Sequence, residues 1–191
     1  RIAPERIKEF DELPVDFLAW TTTPWTLPSN TALTVGANIS YVLVSTTNRY
    51  TESKGLVVLA EALVSKQFAG KNAPKHEVLA RFEGKELCGA RYEPLFDWAE
   101  PMDGIEGAYQ VIPGDFVTTE DGTGIVHTAP TFGADDARVA KAAGVPPMLI
   151  DDGTGHGVPL VDMQGRIRDG IGPLAGRYVK QEFYAEGTAP E

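Results

Sequence analysis

Short runs of β-branched and aromatic residues, bounded by Gly, Pro, Asn or Asp, dominate the front and middle of the chain. Segments 39–47, 55–60, 76–83, 109–112 and 124–129 predict five strands, and Val78, Ala80 and Phe82 give one clean alternating face. The apolar segment Val15–Trp20 predicts a further extended piece. Alternation there puts Ala19, Thr21 and Thr23 on one face and Trp20 and Thr22 on the other. Pro24 cannot donate to a ladder, so this strand should stop or bulge there. Helical character is confined to 61–69, 134–143 and 176–185, and a glycine ends each piece (Gly70, Gly144, Gly187). Strands at this spacing with interspersed helices predict a mixed, mainly β fold, a closed or nearly closed β-barrel decorated by a few helices.

Length and composition add a single-domain expectation over 1–191, since 191 residues with 42% apolar content suffice for a sizeable core. Residues 1–14, charged and ending in Pro14, read as a leading linker, and 187–191 as a trailing one. That arrangement suits an insertion whose two ends return to a larger parent, as does a first residue that is Arg1 rather than methionine. No apolar run is long enough to span a bilayer, so the expectation is a cytoplasmic protein without membrane contact. Cys88 stands alone, which excludes an internal disulfide and reads as a packing residue. The net charge of −10 argues against autonomous gripping of nucleic acid by its phosphates.

The chemistry the chain can offer is limited. Its three histidines, His76, His127 and His156, do not sit at metal-ligand spacing with one another or with Cys88, so no metal is expected. No Gly-x-Ser-x-Gly elbow occurs, and hydrolysis would have to use water placed by hydroxyls and backbone. The richest stretch is Trp20-Thr21-Thr22-Thr23-Pro24-Trp25-Thr26-Leu27-Pro28-Ser29-Asn30. Four threonine hydroxyls lie between or beside two tryptophans; each both donates and accepts, so the cluster can hold an ester, a ribose or a water. Read without context, it is equally an edge strand and a turn, with threonine serving β-propensity. Asp135 and Asp136 open the helix expected from Ala134, where the helix dipole favours acids. Tyr92, Phe96 and Trp98 read as a loop packed back on the barrel, and Tyr178, Phe183 and Tyr184 as the docking face of the last helix. Asp121-Gly122-Thr123-Gly124 and Asp152-Gly153-Thr154-Gly155 read as two similar turns.

The order Thr21-Thr22-Thr23-Pro24-Trp25-Thr26-Leu27-Pro28-Ser29-Asn30 resembles the threonine-rich signature of the editing domain of isoleucyl-tRNA synthetases. Gly122-Thr123-Gly124-Ile125-Val126-His127-Thr128-Ala129-Pro130, with Gly133 and Asp136, resembles the second signature of that domain, in the same order and about a hundred residues on. The valine and leucine members carry Thr-Thr-Arg-Pro and an acid where this chain has Thr23 and Trp25, so the resemblance points to the isoleucine member. It covers nearly the whole chain and implies a β-barrel editing domain that removes valine from mischarged isoleucine tRNA, with valyl-adenylate as a further candidate substrate. It implies catalytic roles for Asp136, Thr22 and Thr23: the carboxylate receives the α-ammonium, and the hydroxyls serve the ester and its water. Trp20, Thr21, Thr26, Asn30 and His127 are implied to bind substrate: Trp20 and Thr21, with Thr22 and Thr23, line the valine and ester end, Thr26 and Asn30 the ribose or carbonyl, and His127 is the wall that refuses isoleucine. The partners implied are the valine-bearing 3′ end of isoleucine tRNA and the rest of the synthetase. ATP, magnesium and zinc are expected only in that parent. The rival expectations are a non-catalytic module that docks the tRNA end, and the valine or leucine editing homologue.

Overall fold

The computed structural model describes residues 13–48, 51–186 and 188–189, so the expected linkers fall almost wholly outside the described residues, and Gly187 with them. The chain resolves into two compact units. The first comprises residues up to Thr22, Leu33–Arg91 and Val111–His127; the second comprises Thr23–Ala32, Tyr92–Gln110 and the residues from Thr128 on.

In the first unit, a four-stranded sheet has the order β1-β4-β3-β5, built from β1 (Val15–Phe17), β3 (Ser40–Thr47), β4 (Lys54–Ala60) and β5 (His76–Glu83). β3 pairs antiparallel with both β4 and β5, and β1 pairs parallel with β4, with Val15 opposite Leu56 and Phe17 opposite Val58. The register sets Val42 across from Leu59 and Val44 across from Val57. These four buried side chains make one apolar cluster, covered by Leu18, Val64, Phe68 and Val78. Such cross-strand β-branched pairs are the stabilising unit of a sheet. A short helix α1 (Val64–Gln67) follows a 3-10 turn over Glu61–Leu63, in place of one continuous helix to residue 69. A second short helix, α2 (Gly84–Leu87), opens with a reciprocal capping box between Glu83 and Glu86 that the strand pattern had not disclosed.

A three-stranded sheet has the order β6-β2-β7, from β2 (Ala32–Val35), β6 (Gln110–Pro113) and β7 (Ile125–Thr128). β2 is buried throughout and lacks alternation, which is why its pattern predicted no strand. Tyr41, fully buried, links the two sheets: its hydroxyl accepts the Gly36 N–H at 2.9 Å and donates to the Gly124 carbonyl at 2.6 Å. Burial pushes the Tyr41 phenol up to about 12. Gly124 is required beside it, because its φ is +74° and a Cβ there would lie 2.4 Å from the Cβ of Ala60.

The mainly β class expected from the pattern is present, but the strands fall into three separate sheets rather than one closed barrel among the described residues. The ladder is interrupted at the corner after β1. The Leu18 N–H still bonds to Val58, the Ala19 N–H turns back to Phe17, and the Trp20 N–H bonds instead to Ile125. A two-residue reversal of this kind moves the chain from one sheet to the next without closing either.

In the second unit, α3 (Ala134–Ala142) ends as expected at Gly144, with φ +70°. A hairpin of β8 (Leu149–Asp151) and β9 (Gly157–Pro159) carries the expected Asp152–Gly155 turn. Met148, Leu160, Ile167 and Ile171 form the core, with Trp98 and Tyr109 against it. The helix expected over 176–185 does not form. The Ile167 N–H bonds to Arg177, Gly176 to Ile167, and Val179 to Gly165, so the backbone is already paired with a neighbouring extended segment. Only a 3-10 turn over Gln181–Phe183 remains, and Tyr178, Phe183 and Tyr184 pack on each other edge to face instead of lining a helix.

Candidate functional site

The division between the units passes through both motifs, between Thr22 and Thr23 and between His127 and Thr128. Trp20, Thr21, Thr22 and His127 belong to the first unit, and Thr23, Thr26, Asn30 and Asp136 to the second.

Within the first unit, Trp20 and His127 are brought together by backbone bonds. Trp20 forms an isolated parallel bridge with Val126; its N–H bonds to Ile125, and its carbonyl accepts the His127 N–H at 3.1 Å. The first residue of one motif is thus paired to the strand of the other, about a hundred residues on. His127 is only 5% exposed, whereas Trp20 is 46% exposed. Gly122 makes room for that indole: with φ +71°, a Cβ at 122 would stand 2.7 Å from Trp20 Cγ. Thr22 is exposed and Thr21 half-buried beyond the bridge.

Within the second unit, Pro24 opens a 3-10 turn over Pro24–Ser29, as suits a residue with a fixed φ and no N–H. The Thr26 hydroxyl donates to the Thr23 carbonyl at 2.8 Å, and both Thr26 and Ser29 are buried. Asn30 ends the turn as a clasp. Its amide nitrogen donates to the carbonyls of Ala32 at 2.8 Å and Thr128 at 3.4 Å, and its oxygen accepts the Tyr92 hydroxyl. The Thr31 N–H adds a bond to the Thr128 carbonyl, and the Tyr109 N–H bonds to the Thr31 carbonyl. The motif segment, Thr128 of the second motif and the Tyr92–Tyr109 loop are thereby tied into one polar cluster.

Tyr92 is the residue that sequence reasoning assigned to mere loop packing. It orients Asn30 from 62 positions away, and burial pushes its phenol well above the ordinary range. No local pattern marks it, because its partner is set by tertiary contact alone.

Asp136 sits at the third position of α3, yet caps nothing in that helix. Its Oδ2 accepts the Ala129 N–H at 2.8 Å, closing the loop 129–136. Oδ1 accepts no hydrogen bond from the described residues. Burial raises the carboxyl's pKa, the Ala129 N–H lowers it in part, and the nearby Asp135 raises it further. Gly133 leaves the space the carboxylate occupies, since a Cβ there would approach Asp136 Cγ to 3.2 Å. Asp135, beside it in the first turn, is exposed and pairs with Arg138 at 3.3 Å. The arrangement fixes a half-buried carboxylate by Oδ2 and leaves Oδ1 to receive a cationic donor. Two hydroxyls in this unit, Thr31 Oγ1 and Thr131 Oγ1, are buried without a partner among the described residues. A separate cavity of about 520 Å³, lined by Met102, Asp103, Pro146, Leu149 and His156 among others, contains none of the motif residues. Among the described residues, no three metal-ligating side chains gather, and no helix is long and apolar enough to cross a membrane.

No family model matches the chain. Curated relatives do. The chain is 50% identical over 183 residues to the isoleucine–tRNA ligase of Cytophaga hutchinsonii, covering 89% of the chain and 16% of that protein. It is 52% identical over 163 residues to that of Bacteroides fragilis, covering 78% of the chain and 14% of the relative. With the isoleucine–tRNA ligase of Clostridium tetani the identity is 42% over 164 residues, or 86% of the chain and 14% of the relative. The chain therefore spans about one-sixth of the length of these relatives. Among solved structures, it superposes on GlLeuRS-CP1 with a TM-score of 0.53 at 18% identity, over 82% of this chain and 60% of that one. The cytosolic leucyl-tRNA synthetase editing domain of P. falciparum gives a TM-score of 0.54 at 16% identity, over 72% and 51% of the two chains. At these identities the likeness is one of fold.

Proposed function

The chain belongs to the isoleucine–tRNA ligase family and has the fold of a synthetase editing domain, and from that premise we propose that its 191 residues act as the ligase's editing domain, a hydrolase that removes valine from mischarged isoleucine tRNA. Valyl-adenylate is a second substrate in this reading. The observation that carries it is Asp136: a half-buried carboxylate with one oxygen fixed on Ala129 and the other open to a cation. That oxygen receives the α-ammonium of the aminoacyl ester. Water attacks the ester carbonyl, the bond to the ribose oxygen breaks, and valine leaves while the ribose oxygen takes a proton. Positioning supplies much of the acceleration for so labile an ester.

Thr22 and Thr23 hold the ester and its water, while Trp20 and Thr21 line the valine side chain. Thr26 serves the ribose or carbonyl end, and Asn30, engaged with Ala32, Thr128 and Tyr92, holds that segment in place. His127 is the wall against isoleucine. A second, smaller site is needed because a synthetic pocket separates valine from isoleucine by only about 1–3 kcal/mol, a figure established on isoleucyl-tRNA synthetases themselves. The tRNA body, ATP, magnesium and zinc belong to the rest of the ligase, in the cytoplasm, which accords with a net charge of −10 here. The test is deacylation of Val-tRNA and Ile-tRNA, both on isoleucine tRNA, by the chain in large excess and by the intact ligase. Selective loss of valine supports the reading; an intact ligase that clears neither, or clears both alike, refutes it.

A further inference from the structure

An acidic chain repels the nucleic-acid end it is to edit, so the few cations beside the motif matter disproportionately. In the second unit one of them is pinned to the motif itself. Lys180 Nζ lies 5.7 Å from the ring centroid of Trp25 and 5.8 Å from that of Phe183. Phe183 is held from behind by Gly165, where φ is +77° and a Cβ would meet its ring at 2.7 Å. The unwinding of the expected helix over 176–185 is what places these residues here: the extended pairing of residues 176–179 carries Lys180 past the core to Trp25.

Lys180 also meets the Glu182 carboxylate at 3.4 Å, but the two side chains are 44% and 67% exposed. An exposed ion pair of this kind contributes little, so it holds the ammonium weakly. The ammonium carries three donors, and Glu182 takes up one of them. Phe183, 43% exposed, leaves ring surface open next to the charge. Proteins hold single-stranded nucleic acid without reading its sequence by cations that meet the backbone beside aromatic faces on which bases stack.

We propose that Lys180, seated between Trp25 and Phe183, is a backbone-phosphate contact for the single-stranded 3′ end that delivers the aminoacyl ester to the threonine motif. The proposal rests on the editing reading and adds a binding residue to it. The contact is electrostatic and positions the strand; Lys180 takes no part in bond breaking.

The experiment uses the full-length ligase carrying Lys180→Gln or Lys180→Arg. Deacylation of Val-tRNA is followed under single-turnover conditions over a range of enzyme and salt concentrations. For Lys180→Gln, the half-saturating enzyme concentration should rise about five- to tenfold, without a matching fall in the saturated rate. The slope of its logarithm against log salt should shrink by about 0.7, the increment for one phosphate contact on a single strand. Lys180→Arg should restore both. Unchanged half-saturation and slope in Lys180→Gln overturn the proposal. So does a Lys180→Arg variant as weak as Lys180→Gln, which would assign Lys180 to packing on Trp25. If the unsubstituted ligase deacylates nothing, the editing reading fails on its own. Nuclease protection of the 3′ end of uncharged isoleucine tRNA then decides the contact: loss of protection in Lys180→Gln supports it, and equal protection overturns it.

Discussion

Asp136→Asn separates the two jobs that the structure gives one side chain. The asparagine oxygen can still accept the Ala129 N–H, now 2.8 Å from Oδ2, so the loop 129–136 keeps its closure. What is lost is the charge that faces the ammonium. Breaking one partner of a partly buried, hydrogen-bonded charge pair costs about 2–4 kcal/mol, within the usual range for such truncations. At about 1.4 kcal/mol per tenfold, kcat/KM for Val-tRNA should fall about 30- to 1000-fold. Asp136→Ala should fall as far and also lose the Ala129 bond, which costs about 1–3 kcal/mol of stability. The assay is single-turnover deacylation by the full ligase, paired with thermal unfolding of each variant.

The pH dependence follows from the same group. Burial raises the folded pKa of Asp136 above its unfolded value. Between those two values the folded state binds more protons, so Asp136 contributes stability at low pH that is lost as pH rises through the folded pKa. Activity runs the opposite way, since only the ionised form holds an ammonium, and it should decline as pH falls through that pKa. Asp136→Asn should flatten both profiles in that window. Activity within threefold of the unsubstituted enzyme, or an Asn variant that unfolds as readily as the Ala variant, would refute the division of roles.

Three other changes probe the supports. Tyr41→Phe keeps the buried ring but strips the hydroxyl that joins Gly36 to Gly124; two orphaned backbone groups should cost about 1–3 kcal/mol, read as a drop in Tm of about 2–4 °C per kcal/mol. Thr31→Val removes a fully buried hydroxyl that has no partner among the described residues; stability should hold or rise in urea unfolding, and a loss above about 1 kcal/mol would show that the hydroxyl is satisfied in solution. His127→Ala opens a wall that is now 5% exposed; the ligase should begin to deacylate Ile-tRNA, and continued refusal would place the exclusion elsewhere.

The mainly β class, the positions of β3, β4, β5 and β7 to within a residue or so, and the stop of α3 at Gly144 were legible because each rests on local chemistry. Alternation, glycine stops and the identity of the motif residues need no knowledge of distant neighbours. The family likeness was legible for the same reason, since it is carried by two contiguous runs of side chains. Tertiary structure alone decided what those side chains hold on to. Tyr92 reaches Asn30 across 62 positions, and Tyr41 reaches Gly124 across 83. Asp136, read from sequence as the carboxylate for the ammonium, also clasps Ala129, and Asn30 clasps Ala32 and Thr128. The segment 176–185 had helical spacing and lost the helix, because N–H and C=O groups at 176–179 are paired with 165–167 instead. The barrel failed to close for a like reason: the Ala19 N–H turned back to Phe17, and the next ladder bond went to Ile125. A chain's pattern records which groups are polar and how they alternate, whereas a hydrogen bond between remote residues depends on the whole path between them.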